Sequence, residues 1–128
     1  MRAFLALALL AGPVAAQQVN CADPVTQVAL NLCAEADFRA ADAELNRAYK
    51  SAREMMRQVD AALPAPQGGA EVALRDGQRA WISFRDQACL AEAYVWTGGS
   101  AQPMIHSRCK ARLTRQRAAD LRDLGRGY

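Results

Sequence analysis

The positions of four cysteines constrain the fold of this chain more than any other sequence feature. They are Cys21, Cys33, Cys89 and Cys109. In an oxidising compartment, an even number of cysteines is typical of disulfides, and four allow three pairings. A zinc site is the competing interpretation, but there is no Cys-x2-Cys pair and His106 is the sole histidine. The pattern therefore favours a domain cross-linked by two disulfides, with no metal and no cofactor.

The first sixteen residues indicate the compartment. A positive start at Met1-Arg2 precedes an apolar run at 3–11, a Gly-Pro break and small residues at 14–16. This is the organisation of a secretory signal peptide. The apolar run is shorter than the roughly 20 residues that cross a bilayer, and no later stretch is apolar enough. We therefore expect a signal peptide over 1–16 and a single exported domain over 17–128, periplasmic or secreted, with no transmembrane segment.

The apolar periodicity predicts an all-α domain. Asp23-Pro24 resembles a helix start, and LPAPQGG at 63–69 and TGGSAQP at 97–103 are typical of loops. A first helix is therefore expected from Asp23-Pro24 to about 63, a second from about 70, and a third over about 104–124. The expected inner positions are Val25, Val28, Leu32, Ala36, Leu45, Tyr49, Ala52, Met56, Val59 and Leu63, then Leu74, Gly77, Trp81, Phe84, Ala88, Ala91 and Val95, then Ile105, Cys109, Leu113, Ala118, Leu121 and Leu124. Short loops predict a small antiparallel three-helix bundle.

This topology suggests a disulfide pairing. The start of helix one, the end of helix two and the start of helix three share one end of such a bundle. A Cys21–Cys33 bond requires the preceding segment to fold back along its own helix. We therefore expect Cys33–Cys89 and Cys21–Cys109.

The segment GQRAWISFRDQAC at 77–89 combines two large aromatic side chains, two arginines, an aspartate and a cysteine. Trp81 and Phe84 are three residues apart on the predicted inner face, so we expect them to fill the core. Ligand stacking is the alternative role for these two aromatics. Asp86 and Cys89 are expected to orient the helix and to tie it to its neighbour.

Three further charged residues fall beside or on the predicted inner faces. Asp42 interrupts the inner side of helix one, Arg85 lies beside the seam of helix two, and Arg117 lies on the inner side of helix three. We expect Asp42 to pair with Arg85 or Arg117 in a partly buried ionic network that sets helix register.

Five segments carry a family resemblance: TQVALNLCA (26–34), ADAELNRAY (41–49), QRAWISFRDQAC (78–89), GGS (98–100) and CKARLTRQRAADL (109–121). In this order they resemble the LprI-like lysozyme-inhibitor domain family. The resemblance covers nearly all of residues 17–128. It implies a secreted or periplasmic, disulfide-bonded helical domain without catalysis, and it names lysozyme as a partner of some members.

Catalysis is not expected. His106 and Cys109 are one helical turn apart, but a cysteine in a disulfide is not a nucleophile. His106 has the context of a surface residue near a helix start, and the carboxylates alternate with basic residues as on solvated helix faces. We therefore do not expect the nucleophile, base or metal site that an enzyme requires.

Lysozyme inhibition is the first functional hypothesis. An inhibitor must cover a cleft that uses two carboxylates. The best candidate is the loop containing Gly98, Gly99 and Ser100, followed by Gln102 and His106, which offers hydrogen bonds or a cation. A plain inter-helix turn is the alternative interpretation of this loop.

An envelope adaptor is the second hypothesis. Residues 104–128 hold seven basic and two acidic side chains, against a net charge of +3 for the whole chain. Such a helix could bind anionic lipid, cell-wall polymer or another periplasmic protein, although a solvated face is the simpler interpretation. The predicted stripe is Arg108, Arg112, Arg115 and Arg122. Nucleic acid is a poor fit because no aromatics interleave the arginines.

Overall fold

A computed structural model describes residues 19–124 and residue 126, which form three α-helices. These are α1 (Gln27–Ala62), α2 (Ala70–Tyr94) and α3 (Gln102–Asp123). They pack as an antiparallel bundle, which confirms the predicted all-α class, and no strand occurs among the residues described. The predicted signal peptide, residues 1–16, lies outside the described residues.

Two of the three helices, α1 and α2, begin where side-chain oxygens accept hydrogen bonds from the first free amides. The Thr26 hydroxyl accepts a hydrogen bond from the Ala29 amide at 3.1 Å, so α1 starts at Gln27. The predicted start at Asp23-Pro24 was therefore wrong. Near the end of α1, the Asp60 carboxylate accepts hydrogen bonds from the consecutive amides of residues 69–71, at 2.7–3.0 Å. A side chain of α1 therefore caps the start of α2.

The core lies mainly between α1 and α3, which have the most extensive helix–helix contact. Its buried members are Leu45, Ala48, Ala52, Ala118 and Leu121, with Tyr49, Leu74 and Trp81 packed against them. Because three of the five buried side chains are alanines, the two helices can approach closely. The core is small, so polar contacts and disulfides matter more than in a larger domain.

The predicted inner face of α2 was wrong by about one residue. The structure buries Gln78, Arg85, Cys89 and Ala93, whereas Phe84 is 60% exposed. Phe84 is therefore not a core residue, whereas Trp81, also expected to fill the core, is half-buried and packs against it. One residue corresponds to a rotation of about 100°. That rotation places Cys89 opposite Cys109 and turns Arg85 inward. The other expected inner residues found exposed on α2 and just beyond it are Gly77, Ala91 and Val95.

The same kind of error affects the first turns of α1. Val28, Leu32 and Ala36 are exposed, while Ala34 and Ala41 are buried. Val25, which precedes the helix, is also exposed. Of the later predicted positions, Leu45 and Ala52 are buried as expected, because the apolar stripe there follows the α1–α3 contact, whereas Val59 and Leu63 are exposed.

The disulfides join Cys21 to Cys33 and Cys89 to Cys109, so the predicted pairing was wrong. Because α1 begins only at Gln27, the residues before it form a turn that folds back along α1 and brings Cys21 within 5.5 Å of Cys33, Cα to Cα. The second bond links α2 to α3 with a Cα–Cα distance of 5.4 Å. Neither bond links α1 to another helix, so α1 is held by packing and polar contacts.

Candidate functional site

Arg85 occupies the centre of a polar cluster that joins all three helices. Its side chain is buried, with 7% of the residue exposed. Nε donates to Asp86 at 2.8 Å, and Nη1 donates to Asp42 at 3.3 Å and to Thr114 at 3.4 Å. The guanidinium lies over two aromatic rings, at 5.2 Å from the Phe38 centroid and 5.3 Å from that of Trp81. We call these residues the Arg85 cluster.

Of the six residues predicted for the core and its ionic network, the structure brings four together in the Arg85 cluster and leaves out Phe84 and Arg117. Asp42, Trp81, Arg85 and Asp86 meet in the cluster. Arg117 instead donates from Nε to the Gln78 side-chain oxygen at 3.0 Å. Of the two partners that the sequence allowed for Asp42, the structure selects Arg85. Because the Arg85 guanidinium contacts side chains of all three helices, the cluster suits the packing and register of the bundle.

The loop between α2 and α3 is ordered by its own hydrogen bonds. The Thr97 hydroxyl donates to the Tyr94 carbonyl at 2.7 Å, and the Gly99 amide donates to the Trp96 carbonyl at 3.0 Å. Gly98 has φ of +83°, a conformation that favours glycine. A Cβ on Gly99 would lie 3.2 Å from the Trp96 carbonyl oxygen. The two glycines therefore permit this tight turn.

The loop is also held against the start of α1. Asn31 donates from Nδ2 to the Ser100 carbonyl at 3.1 Å, and Gln27 donates to the Asn31 side-chain oxygen at 2.9 Å. On the other side, the Cys89–Cys109 bond ties together the two helices that the loop connects. The loop conformation is thus supported from both sides.

The exposed side chains of this region are largely apolar. Tyr94, Val95 and Trp96 are 63%, 83% and 49% exposed. We call residues 94–100 the tip. Three consecutive exposed large apolar residues, two of them aromatic, form the kind of apolar surface that often marks a contact site. Sequence reasoning did not select Tyr94 or Trp96 and placed Val95 inside. The available signal was the Tyr-Val-Trp run directly before a Thr-Gly-Gly turn.

The predicted binding residues divide between two positions. Gly98, Gly99 and Ser100 are exposed in the tip. Gln102 is the first residue of α3, and His106 is half-buried one turn further along that helix. The structure thus places the glycines and Ser100 on the exposed surface of the tip and leaves Gln102 and His106 partly buried on α3.

The arginines of the predicted stripe on α3 are mostly engaged in ion pairs. Arg112 pairs with Glu92 at 3.1 Å, Arg115 pairs with Asp37, and Arg122 pairs with Glu44 at 2.6 Å. Hydrogen bonds from Arg115 lower the pKa of the Asp37 carboxyl, which keeps it ionised. The pairs of Arg115 and Arg122 link α3 to α1. This face is therefore far less cationic than its arginine content suggests.

The described part of the chain offers little for covalent or metal chemistry. All four cysteines are in disulfides, so none provides a thiol. Between residues 19 and 124, no three His, Cys, Asp or Glu side chains are grouped as metal ligands. No helix in the described ranges has the length and apolar composition that a bilayer crossing requires.

These features define the class: a small helical domain with two disulfides and an exposed, preorganised loop. The family described as "Lysozyme inhibitor LprI" matches residues 20–121, and the chain belongs to this family. The chain is also 44% identical over 117 residues to "Uncharacterized protein R02472" of Rhizobium meliloti (strain 1021), covering 88% of this chain and 84% of that protein. No solved structure shows a significant match.

Proposed function

We propose that this chain is an exported, non-catalytic binding domain that inhibits lysozyme through the tip. Membership of the LprI family suggests the inhibitory activity. The observation that carries the location is the exposed Tyr94-Val95-Trp96 run on a loop braced by Asn31 and by the Cys89–Cys109 bond. The two disulfides and the predicted signal peptide support an extracytoplasmic location, periplasmic or secreted.

The chemistry of the tip suits a carboxylate-containing cleft. Residues 94–104 contain no charged side chain. An uncharged loop can enter a cleft with two carboxylates without placing a like charge beside them. The Ser100 hydroxyl can donate a hydrogen bond there, whereas the Thr97 hydroxyl already donates to the Tyr94 carbonyl and can only accept.

Aromatic residues on a rigid loop are effective contact groups. Tyr94 and Trp96 bring large apolar area together with a hydroxyl or indole donor. Because the turn and the Asn31 contact already order the loop, binding loses less conformational entropy than it would with a flexible segment. We therefore propose that the aromatic side chains of the tip fill the cleft, and that the disulfide-bonded end of the bundle holds them in position.

The adaptor hypothesis loses its main support in this structure. Three of the four stripe arginines pair with carboxylates of α1 or α2. An anionic polymer would have to compete with these pairs for each guanidinium. Strong salt sensitivity of binding to anionic cell-wall polymer or membrane vesicles would nevertheless revive the adaptor hypothesis.

The test is an inhibition titration of the oxidised protein over residues 17–128. Lysozyme activity is followed by the turbidity of a peptidoglycan suspension, and the titration is repeated after reduction of the disulfides. We expect stoichiometric inhibition that weakens after reduction. Truncating an aromatic interface anchor costs about 2 kcal/mol of binding free energy, which corresponds to an inhibition constant about 30-fold weaker. We expect this loss for Trp96→Ala.

Phe84→Ala is the matched control, because it also removes an exposed aromatic side chain, but from the middle of α2. It should leave the inhibition constant unchanged. Equal weakening by Trp96→Ala and Phe84→Ala would refute the location at the tip. A folded protein that does not inhibit at high micromolar concentration would refute the inhibitory function itself.

A further inference from the structure

A second surface lies at the end of the bundle opposite the tip. The start of α1 is level with the start of α3, because Asn31 contacts Ser100. The end of α3 is level with the middle of α1, where Leu121 packs with Ala48 and Ala52. Since α1 continues to Ala62, about ten of its residues, roughly 15 Å, extend past the end of α3.

A cleft occupies the place where α3 stops. Its volume is about 420 Å³, within the roughly 300–1,000 Å³ of typical ligand sites. The floor is made of small and apolar side chains from both helices: Ala48, Ser51, Ala52, Met55, Leu121 and Leu124. A shallower depression of about 640 Å³ continues along α1 and shares Arg47, Ser51 and Met55 with the cleft. We call the two together the α1 cleft.

The rim of the α1 cleft is cationic. Arg122 and Arg126 are paired, with Glu44 at 2.6 Å and Asp123 at 3.2 Å. Arg47 and Lys50 are exposed and, within the part of the chain that the structure describes, have no carboxylate within 4.0 Å. The other carboxylate on the rim, Glu54, pairs with Arg57 at 3.2 Å, so the positive charges of Arg47 and Lys50 stand beside a floor of small and apolar side chains.

We propose that the α1 cleft binds an acidic amphipathic helix of another protein. Such a helix would continue the line of α3 along α1, place its apolar residues over Ala52 and Met55, and direct carboxylates to Arg47 and Lys50. Methionine suits this contact because its flexible side chain adapts to different apolar partners. Charge complementarity selects an acidic partner and disfavours a basic one.

This site is distinct from the tip. The two lie about 30 Å apart along α1, judged from the helical rise between Asn31 and the middle of the cleft. A lysozyme bound at the tip would leave the α1 cleft open. The inference does not depend on whether the tip inhibits lysozyme, so the two can fail separately.

The experiment is a fluorescence-anisotropy titration with two labelled helical peptides. Both have leucines at i, i+3, i+4 and i+7, and the remaining positions are glutamate in one and lysine in the other. We expect saturable binding of the glutamate peptide, and at least tenfold weaker binding of the lysine peptide. Arg47→Glu combined with Lys50→Glu should weaken the glutamate peptide at least tenfold.

Two further variants make the test specific. Ser51→Trp fills the cleft without changing charge and should also weaken binding at least tenfold. Arg39→Glu combined with Arg79→Glu makes the same charge change at two exposed positions outside the cleft and should have no comparable effect. Thermal unfolding of each variant confirms that it is folded.

Several outcomes would overturn the proposal. These are no saturable binding of the glutamate peptide, equal binding of both peptides, or binding that is insensitive to Ser51→Trp. Self-association that Ser51→Trp abolishes would assign the cleft to a second copy of the chain. Binding to phosphatidylglycerol vesicles but not to the glutamate peptide, lost in the Arg47/Lys50 variant, would assign it to lipid.

Discussion

The Arg85 cluster makes a sharp prediction about stability. Replacing Asp42 with alanine removes one carboxylate from a guanidinium that is almost fully buried. Arg85 keeps its hydrogen bond to Asp86 and its two aromatic faces, so the charge is not left wholly unpaired. The expected effect is therefore smaller than the roughly 3–5 kcal/mol for breaking a fully buried pair.

The exposure of Asp42 reduces the estimate further. Its side chain is 41% exposed, so water screens the interaction. We expect Asp42→Ala to lower the free energy of unfolding by about 1–2 kcal/mol. For a domain of about 100 residues, 1 kcal/mol shifts Tm by about 4–8 °C, so Tm should fall by roughly 4–16 °C.

Non-additivity provides the stricter test. Removing both Asp42 and Asp86 leaves the buried guanidinium without a carboxylate within this cluster. The double variant should therefore lose more stability than the two single variants together. Asp76→Ala is the control: it removes an aspartate that pairs with Arg75 and Arg79 at the surface, and should change Tm little.

The assay is thermal unfolding by circular dichroism at pH 7, with urea denaturation for the free energies. A Tm for Asp42→Ala within 1 °C of the parent, together with an additive double variant, would refute the reasoning. In that case the ion pairs would contribute nothing beyond the packing of Arg85 between its aromatic neighbours.

Three further predictions concern the ends and the core of the bundle. Hydrogen bonds from the Glu71, Gly69 and Ala70 amides lower the pKa of Asp60, so its stabilisation is complete above the unfolded pKa of about 3.9 and is lost as pH falls through the lowered value. Asp60→Asn should therefore lower Tm at pH 7 and flatten the decline of Tm below about pH 4; an unchanged decline in an acid titration would contradict this. Limited dithiothreitol, followed by alkylation and mass spectrometry, should detect reduction of Cys21–Cys33 before Cys89–Cys109, because Cys21 is exposed and the second pair is buried. Simultaneous reduction would show that access does not set the order. Ala118→Leu should destabilise the domain by about 1–3 kcal/mol in urea denaturation, because Ala118 is fully buried where α1 and α3 meet; a neutral result would show that the helices can separate freely.

The candidate site was only partly accessible to sequence reasoning. The glycines and Ser100 of the tip follow from turn chemistry, which is local. The exposure of Trp96 and Tyr94 was missed, because helical periodicity does not show where a helix stops facing its neighbours. The Asp42–Arg85 contact was anticipated as one of two options, since both residues interrupt or adjoin an apolar face. The preference for Arg85 over Arg117 depends on the rotation of α2.

The sequence by itself determined the helical class, the two loops, the presence of two disulfides and the family. These properties depend on local periodicity, on turn residues and on the number of cysteines. Only the tertiary structure decided the disulfide pairing and the face that α2 turns inward. A helix can be rotated by one residue with little change in local energy, so the choice is made by contacts between helices. Here the Cys89–Cys109 bond and the buried Arg85 set the rotation of α2, and Phe84 is exposed as a result.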